Sequence, residues 1–287
     1  MSEAQVTVLI PTRTVFDGIC LTIESIRKRT RGPVDTIVCD NSLGPMSREC
    51  SPPWTVPEGE DDGNRRDYLR DMAHKRLIRL IENDSQREGK YGHGENIRVM
   101  MEAVDTPYAM VFNSSSEILA PSWLDILTAQ MTDPERILGI ADFHVGGARN
   151  HDFITPLYWP NMMLLNVPLF RKFYPENNWD LEITFINKFH RPEIFAGKYP
   201  AHPEHVPPIV FCDTGWRLWE KMEYDNPGGV RILPLPGDYK GRYITWLGGI
   251  DRCVHCYFKP GEDSYNKRHV VNQRAEIARR LERLRAN

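Results

Sequence analysis

Tyr108-Ala-Met-Val-Phe-Asn-Ser-Ser-Ser-Glu117 is an apolar run that stops abruptly in five polar residues, and Ile118-Leu-Ala-Pro-Ser-Trp-Leu124 then opens a helical segment. A short apolar run bounded by polar residues reads as a buried strand. In an α/β protein ligands gather at the carboxyl ends of strands, where chain direction and backbone dipoles converge. The run therefore marks a candidate site, and its flanks decide whether the chain is of that class.

They read as alternating strands and helices. Val6–Ile10 is β-branched and apolar, and Pro11-Thr-Arg-Thr14 ends it. Ile19, Ile23 and Ile26 follow at helical spacing, with Arg27-Lys-Arg29 suited to the negative end of a helix dipole. Gly32-Pro33 breaks that helix, and Thr36–Cys39 is a second strand running into Asp40-Asn-Ser-Leu-Gly44. Two strands joined through a helix by short connections are expected to be parallel and adjacent. Pro45–Gly63 reads as a loop, Asn64–Ala73 as a helix and Leu77–Ile81 as a strand. Gly89-Lys-Tyr-Gly-His-Gly94 reads as a glycine-spaced loop leading into a helix over Glu95–Val104. A helix over Ser122–Met131 and a strand over Ile137–Phe143 come after the opening run. Beyond Gly146 the alternation fades. Asn161–Leu165 and Val230–Leu235 read as strands, Pro168–Phe173 and Asp213–Met222 as helices, and Glu176–Pro208 as irregular. Asn266–Arg285 is a charged helix with a sparse apolar stripe at Val270, Ile277, Leu281 and Leu284.

A chain of 287 residues makes one large or two small domains, with 41% hydrophobic and 26% charged residues as in ordinary globular proteins. A net charge of -3 gives no global attraction to polyanions. No apolar run approaches the ~20 residues that span a bilayer, and Met1-Ser-Glu-Ala-Gln-Val6 lacks the features of a signal peptide, so a cytoplasmic protein is expected. The six cysteines form no evident disulfide framework. Cys253-Val-His-Cys256 lacks the further ligands a zinc site requires.

Four motifs come in order: Pro11-Thr-Arg13, Asp40-Asn41, Gly92-His-Gly-Glu-Asn96, and Asn113 to Glu117. Across most of residues 5–125 this order resembles the nucleotide-sugar half of a GT-A glycosyltransferase, family 2-like. Such enzymes open with a strand into a Pro-Thr-like turn and place an Asp at the end of the second strand. A glycine-rich loop with Asn precedes a helix, and an apolar strand runs into an Asp-x-Asp-like motif. The resemblance implies an α/β GT-A fold. Residues 1–125 would form a Rossmann-like nucleotide-binding half, 126–265 the acceptor-binding and catalytic half of the same domain, and 266–287 a C-terminal helix.

It also implies roles. Pro11, Thr12, Arg13, Asp40, Asn41, Gly92, Asn96, Asn113 and Ser115 would line a nucleotide-sugar donor, with Asp40 accepting from a uracil-like base. Read alone, Asp40-Asn-Ser42 is equally a turn. Gly92 and Gly94 would let backbone approach the ligand, and Asn96 would begin or cap a helix. Glu117 and His255 would hold Mn2+ or Mg2+. Ser115 stands where the central acid of the motif belongs, and a hydroxyl is a poor ligand for a hard cation, so weakened metal dependence is expected. Arg13, Lys90 or Arg98 would then supply positive charge. Asn113 to Glu117 also reads as a helix-capping loop. Ile209-Val-Phe-Cys-Asp-Thr-Gly-Trp-Arg-Leu218 resembles the segment that carries the catalytic base, here Asp213, although Asp before a helix is also a common N-cap. Trp246 to His255 resembles the late strand ending in a His, and His255 is otherwise an ordinary strand residue.

The implied activity is transfer of a sugar from a nucleotide-sugar donor, UDP-linked, to an acceptor hydroxyl with inversion. A glycan or small molecule is the favoured acceptor. Two other readings stand beside it. One is a degenerate nucleotide-sugar-binding protein, favoured by Ser115. The other is a transferase acting on modified nucleic-acid bases, with Lys267, Arg268, Arg274, Arg279, Arg280, Arg283 and Arg285 on phosphates. Tyr158, Trp159, Trp179, Trp216 and Trp219 would stack on sugar rings or fill the core.

Overall fold

Side-chain alternation along the strands sorts apolar residues onto two faces of one sheet, and helices cover both. The computed structural model describes residues 4–12, 16–40, 62–83, 89–112, 114, 116–119, 121–129, 131, 133, 139–143, 158–179, 185–187, 209–211, 218, 230–233, 244–246, 254–256 and 267–286. The strands are β1 (Val6–Thr12), β2 (Val34–Asp40), β3 (Arg79–Glu82), β4 (Tyr108–Phe112), β5 (Ser116–Ile118), β6 (Gly139–Phe143), β7 (Tyr158–Asn166), β8 (Phe185–Asn187), β9 (Ile209–Phe211), β10 (Val230–Leu233), β11 (Ile244–Trp246) and β12 (Val254–Cys256). The helices are α1 (Phe16–Arg29), α2 (Asp62–His74), α3 (Gly89–Glu102), α4 (Trp123–Thr128), α5 (Val167–Phe173) and α6 (Lys267–Ala286).

Seven strands form the main sheet in the order β10-β6-β7-β4-β1-β2-β3. β1 is parallel to β2 and β4, β2 to β3, and β10 to β6, whereas β7 runs antiparallel to β4 and β6. The fold is mixed α/β with a mostly parallel central sheet. Leu9, Ile37, Cys39, Ala109, Val111 and Leu165 face one side, against Ile97, Met100 and Met101 of α3, Val104 just after it and Phe170 of α5. Val8, Ile10, Val38, Met110, Phe112 and Leu164 face the other, against Ile19, Ile23 and Ile26 of α1, Leu69 and Met72 of α2 and Trp123 of α4. Burial on both faces is what near-continuous apolar strands require.

The expected strands and helices recur with shifted ends in most places. Gly32 sits between α1 and β2 at φ +87, a conformation that glycine adopts without strain. Leu77 and Ile78 precede β3, after Arg76 at φ 57, yet both still pack into the α1–α2 layer. Three readings need correction. Glu176–Pro208 is not irregular throughout, since β8 forms at Phe185–Asn187 and pairs with β9. Residues 89–94 are not a loop but the first turns of α3. Glycine weakens a helix locally, but burial of the Ile97, Met100, Met101 and Val104 face outweighs that propensity. Ser116–Ile118 is a strand rather than part of a capping loop. The loop read at Pro45–Gly63 lies largely outside the described residues, as does the helix read at Asp213–Met222 apart from residue 218. Among the described residues no helix is long and apolar enough to cross a membrane.

α1 serves three partners. Its isoleucines meet the sheet, while Cys20 and Leu21 seat Ile277, Leu281 and Leu284 of α6. A polar line at Thr22, Ser25 and Arg29 holds β5. The Thr22 hydroxyl lies 2.8 Å from the Ser116 carbonyl and accepts from the Ser116 N–H at 2.9 Å. Ser25 Oγ accepts from the Ile118 N–H at 3.0 Å, and Arg29 donates to the Ile118 carbonyl at 2.8 Å. Side chains thus complete an edge whose other side pairs with β12. Thr22→Val keeps the shape of the residue but strips both Ser116 groups of their partner. It is expected to lower stability by ~1–3 kcal/mol, read as a fall in urea midpoint at unchanged slope.

Candidate functional site

Polar residues enter this core where the parallel strands end. Thr12 of β1 and Asp40 of β2 are register partners, and Asp40 pairs in turn with Glu82 of β3. Register partners in adjacent strands face the same side of a sheet. Thr12 and Asp40 are each 2% exposed. Among the described residues Thr12 Oγ1 has no hydrogen-bond partner. Buried hydroxyls are almost always satisfied, which makes Thr12 a candidate for contact with a ligand. The Asp40 carbonyl accepts from the Asn83 N–H at 2.9 Å, and Asn83 Nδ2 donates to Asn96 Oδ1 at 2.8 Å. Asn96, 3% exposed, lies inside α3 and does not cap it, because the helix begins at Gly89. Asn83 escaped the sequence reading. A polar residue directly after a strand was its signal.

Pro11 is buried in β1 opposite Cys39 of β2. Burial, and then the charges of Asp40 and Glu95, push the Cys39 thiol up to about 12. Glu95 itself is gripped by Arg98, through Nη2 at 2.6 Å and Nε at 3.1 Å, and Arg98 also reaches Glu102 at 2.5 Å. The hydrogen bonds that Arg98 donates to Glu95 raise its pKa further. Arg98 is therefore matched by two carboxylates on its own helix, which corrects the reading that offered it as a cation for a diphosphate.

Glu117 meets an arrangement different from the expected metal site. It is 2% exposed, and its oxygens accept from Arg29 Nη1 at 2.9 Å and Arg280 Nη1 at 2.8 Å. α1 leads from the carboxyl end of β1 to the amino end of the parallel β2. Arg29 is its last residue, so the 14-residue helix carries this cluster roughly 20 Å from its start beside the strand ends. Trp123, just beyond β5, hydrogen-bonds Thr30 at 3.0 Å at that same far end. Ligation of a cation by Glu117 would require it to leave both arginines. His255 is the register partner of Glu117 on β12. Among the described residues no group of three His, Cys, Asp or Glu side chains forms a metal site. Thr22, Ser25, Arg29 and Arg280 were not read as a unit from the sequence, although the i, i+3, i+7 spacing on α1 was visible.

Arg13, Asn41, Asn113, Ser115 and Asp213 lie outside the described residues. Gly92 falls within α3. Two anchors flank Asp213: β9 ends two residues before it, paired with β8, and Leu218 is buried in the α3-side core. Trp179 is fully buried, with its ring centroid 5.7 Å from that of Phe170 in a stacked pair, so it fills the core and does not offer a sugar platform. Arg280 is committed to Glu117, and Arg285 lies 3.7 Å from Glu24. These pairs draw part of the basic C-terminal helix away from a phosphate-binding role.

No family model matches the chain, and no curated protein matches it in sequence. Solved structures do. The mannosyltransferase PcManGT from Pyrobaculum calidifontis, in complex with GDP-Man and Mn2+, is 12% identical with a TM-score of 0.42, over 76% of this chain and 60% of that one. S. aureus TarS 1-349 in complex with UDP-GlcNAc is 10% identical with a TM-score of 0.38, over 73% and 56%. Glucosyl-3-phosphoglycerate synthase from Mycobacterium tuberculosis, in complex with Mn2+, UDP and phosphoglyceric acid, is 17% identical with a TM-score of 0.38, over 58% and 57%. GT-A glycosyltransferases are thus among the structures this chain is similar to. It spans no more than 60% of the length of these three proteins.

The environment of Cys39 sets a pH dependence. Burial pushes its thiol up to about 12 in the folded chain, from an ordinary value of 9.0. A raised folded value adds stability that is complete below the unfolded pKa and is lost as pH rises through the folded one. Stability is therefore expected to fall between pH 9 and 12, and Cys39→Ala to reduce that slope. Native Cys39 is expected to resist iodoacetamide at pH 8 and to react only after unfolding, as peptide mass spectrometry would show.

Proposed function

We propose that this chain is a nucleotide-sugar-dependent glycosyltransferase of the GT-A type, inverting, with a UDP-linked donor. One observation carries the reading: the buried Thr12 hydroxyl, in register with the buried Asp40 carboxylate, lies where β1 and β2 end. β4, the neighbour of β1 on its other side, ends directly before residues 113–115 in sequence. A nucleotide requires such converging polar groups in a crevice at strand ends. In this proposal Asp40 accepts from the imide N–H of the base and Thr12 donates to a ligand oxygen. Arg13, Asn41, Asn96, Asn113 and Ser115 complete the donor site.

Asp213 is the proposed base. Its carboxylate takes the proton of the acceptor hydroxyl as the acceptor oxygen bonds to the anomeric carbon. The bond from that carbon to the diphosphate oxygen breaks, and UDP leaves with the electron pair. In sequence Asp213 comes two positions after β9 and five before the buried Leu218. The acceptor is a glycan or small molecule.

The described residues do not fit a resident cation, since Glu117, the one carboxylate in the 113–117 segment, is held by two arginines. No step above depends on a metal. Weak dependence on Mn2+ or Mg2+ is expected, with a chelator leaving a substantial fraction of activity. A second reading, a nucleotide-sugar-binding protein without turnover, is favoured by the Asn-Ser-Ser-Ser run at 113–116, which has no carboxylate.

Calorimetry with UDP tests the donor site. Wild type is expected to bind, and Asp40→Ala to lose ~1–3 kcal/mol. Absence of binding by wild type defeats both readings, and binding without turnover of any UDP-sugar favours the second. Asp213→Asn keeps the shape and the capping ability of the residue but not its basicity. Turnover is expected to fall by about 10²–10⁴-fold with UDP affinity unchanged, and the acid limb of the rate profile to disappear. Near wild-type turnover in that variant would remove Asp213 from the mechanism.

A further inference from the structure

We infer that Glu82 is a further donor-site residue, its open carboxylate oxygen accepting from a ribose hydroxyl of the nucleotide while Arg70 balances its charge. The identity of the ligand rests on the nucleotide-site reading above; the row of side chains that receives it does not.

Three adjacent parallel strands end in step. Ile10 of β1 is the register partner of Val38 in β2, and Val38 that of Leu80 in β3. All three pack into the α1–α2 layer. Side chains two positions apart on a strand share a face. Thr12, Asp40 and Glu82 therefore make the next row on that face, and they are register partners in the same order. The apolar layer stops there, and a row of one hydroxyl and two carboxylates takes over. The buried Thr12 hydroxyl, without a hydrogen-bond partner among the described residues, points to a ligand on this row.

Exposure rises along the row. Thr12 and Asp40 are each 2% exposed, whereas the Glu82 side chain is 37% exposed. A nucleoside carries the same gradient, from a flat base that gains by burial to a ribose whose hydroxyls suit the mouth of a crevice. With Asp40 on the imide N–H of the base, the sugar falls at the open end of the row. Neighbouring strands lie ~5 Å apart, so Glu82 is within reach of a ribose joined directly to that base.

The Glu82 carboxylate is half used. Arg70 of α2 approaches with Nε at 2.8 Å and Nη2 at 2.7 Å, and both go to Oε1. Among the described residues Oε2 has no partner. An ionised carboxylate only accepts hydrogen bonds, and the adjacent 2′- and 3′-hydroxyls of ribose only need an acceptor placed beside them. The guanidinium offsets a negative charge that would otherwise repel the diphosphate. An ion pair this exposed contributes little to stability, so the pair can be dissected without unfolding the chain.

Calorimetry of the whole chain with UDP, 2′-deoxy-UDP and 3′-deoxy-UDP tests the inference. Wild type is expected to bind at least one of the deoxy nucleotides about tenfold or more weakly than UDP, the effect of losing a hydrogen bond to a charged acceptor. In Glu82→Ala UDP affinity is expected to fall by a similar factor and the discrimination to disappear, because the hydroxyl then has no partner to lose. Arg70→Ala removes the ion pair but leaves the carboxylate, and is expected to keep the discrimination; its loss there would assign the effect to the ion pair and overturn the inference. Glu82→Gln offers a weaker, neutral acceptor, so it is expected to shrink the discrimination, and it serves if Glu82→Ala fails to fold. Equal losses for all three nucleotides in Glu82→Ala, or no change for any, overturn the role of Glu82 while UDP binding by wild type upholds the donor site. So does a wild type that binds all three alike. A wild type that binds no UDP defeats the donor-site reading and this inference with it.

Discussion

Burying the Glu117 carboxylate obliges the chain to bring cations to it, and much of the architecture on that side of the sheet follows from how this is done. An unpaired carboxylate in such a place is too costly to keep. Arg29 approaches from the last turn of α1 and Arg280 from the C-terminal helix, 2.9 and 2.8 Å from the two oxygens. The same α1 residue also satisfies the Ile118 carbonyl, and Thr22 and Ser25 satisfy neighbouring backbone groups. β5 is thereby held between a helix that supplies side-chain partners and a strand, β12, that supplies backbone ones. Both edges of a three-residue strand are filled, as buried backbone requires.

This cluster and the candidate donor site stand at opposite ends of α1. Near its start are Thr12 and Asp40, buried at the carboxyl ends of β1 and β2, with Asn83 and Asn96 hydrogen-bonded beside them. At its end is the arginine pair. The parallel sheet makes this separation unavoidable, because each helix must return the chain from one end of the strands to the other. Glu117 follows the end of β4 closely in sequence, but β5 carries it along α1 and away from the strand ends.

The polar groups of the two regions differ in kind. Around Glu117 the donors and acceptors match: a carboxylate with two guanidinium groups, hydroxyls with backbone groups. Along α3, Arg98 is likewise balanced by Glu95 and Glu102. At the strand ends the Thr12 hydroxyl lacks a partner among the described residues. Matched buried groups hold a fold together, whereas an unmatched one at the end of a parallel sheet is a candidate for binding.

The sequence by itself determined the class of this protein's fold. Apolar runs at Val6–Ile10, Thr36–Cys39 and Tyr108–Phe112, separated by a helical stripe at Ile19, Ile23 and Ile26, allow little besides parallel strands crossed by helices, because a strand buried on both faces must be apolar throughout. It also offered Thr12 and Asp40, polar residues at the ends of such runs, as candidates for a site. Tertiary structure alone decided the rest. Residues 89–94 became helix because the burial of α3 against the sheet outweighs the local preference of glycine. Trp179 became core through stacking on Phe170. Glu117 found its partners 88 and 163 residues away, and no local pattern encodes a contact that depends on how three separate elements pack.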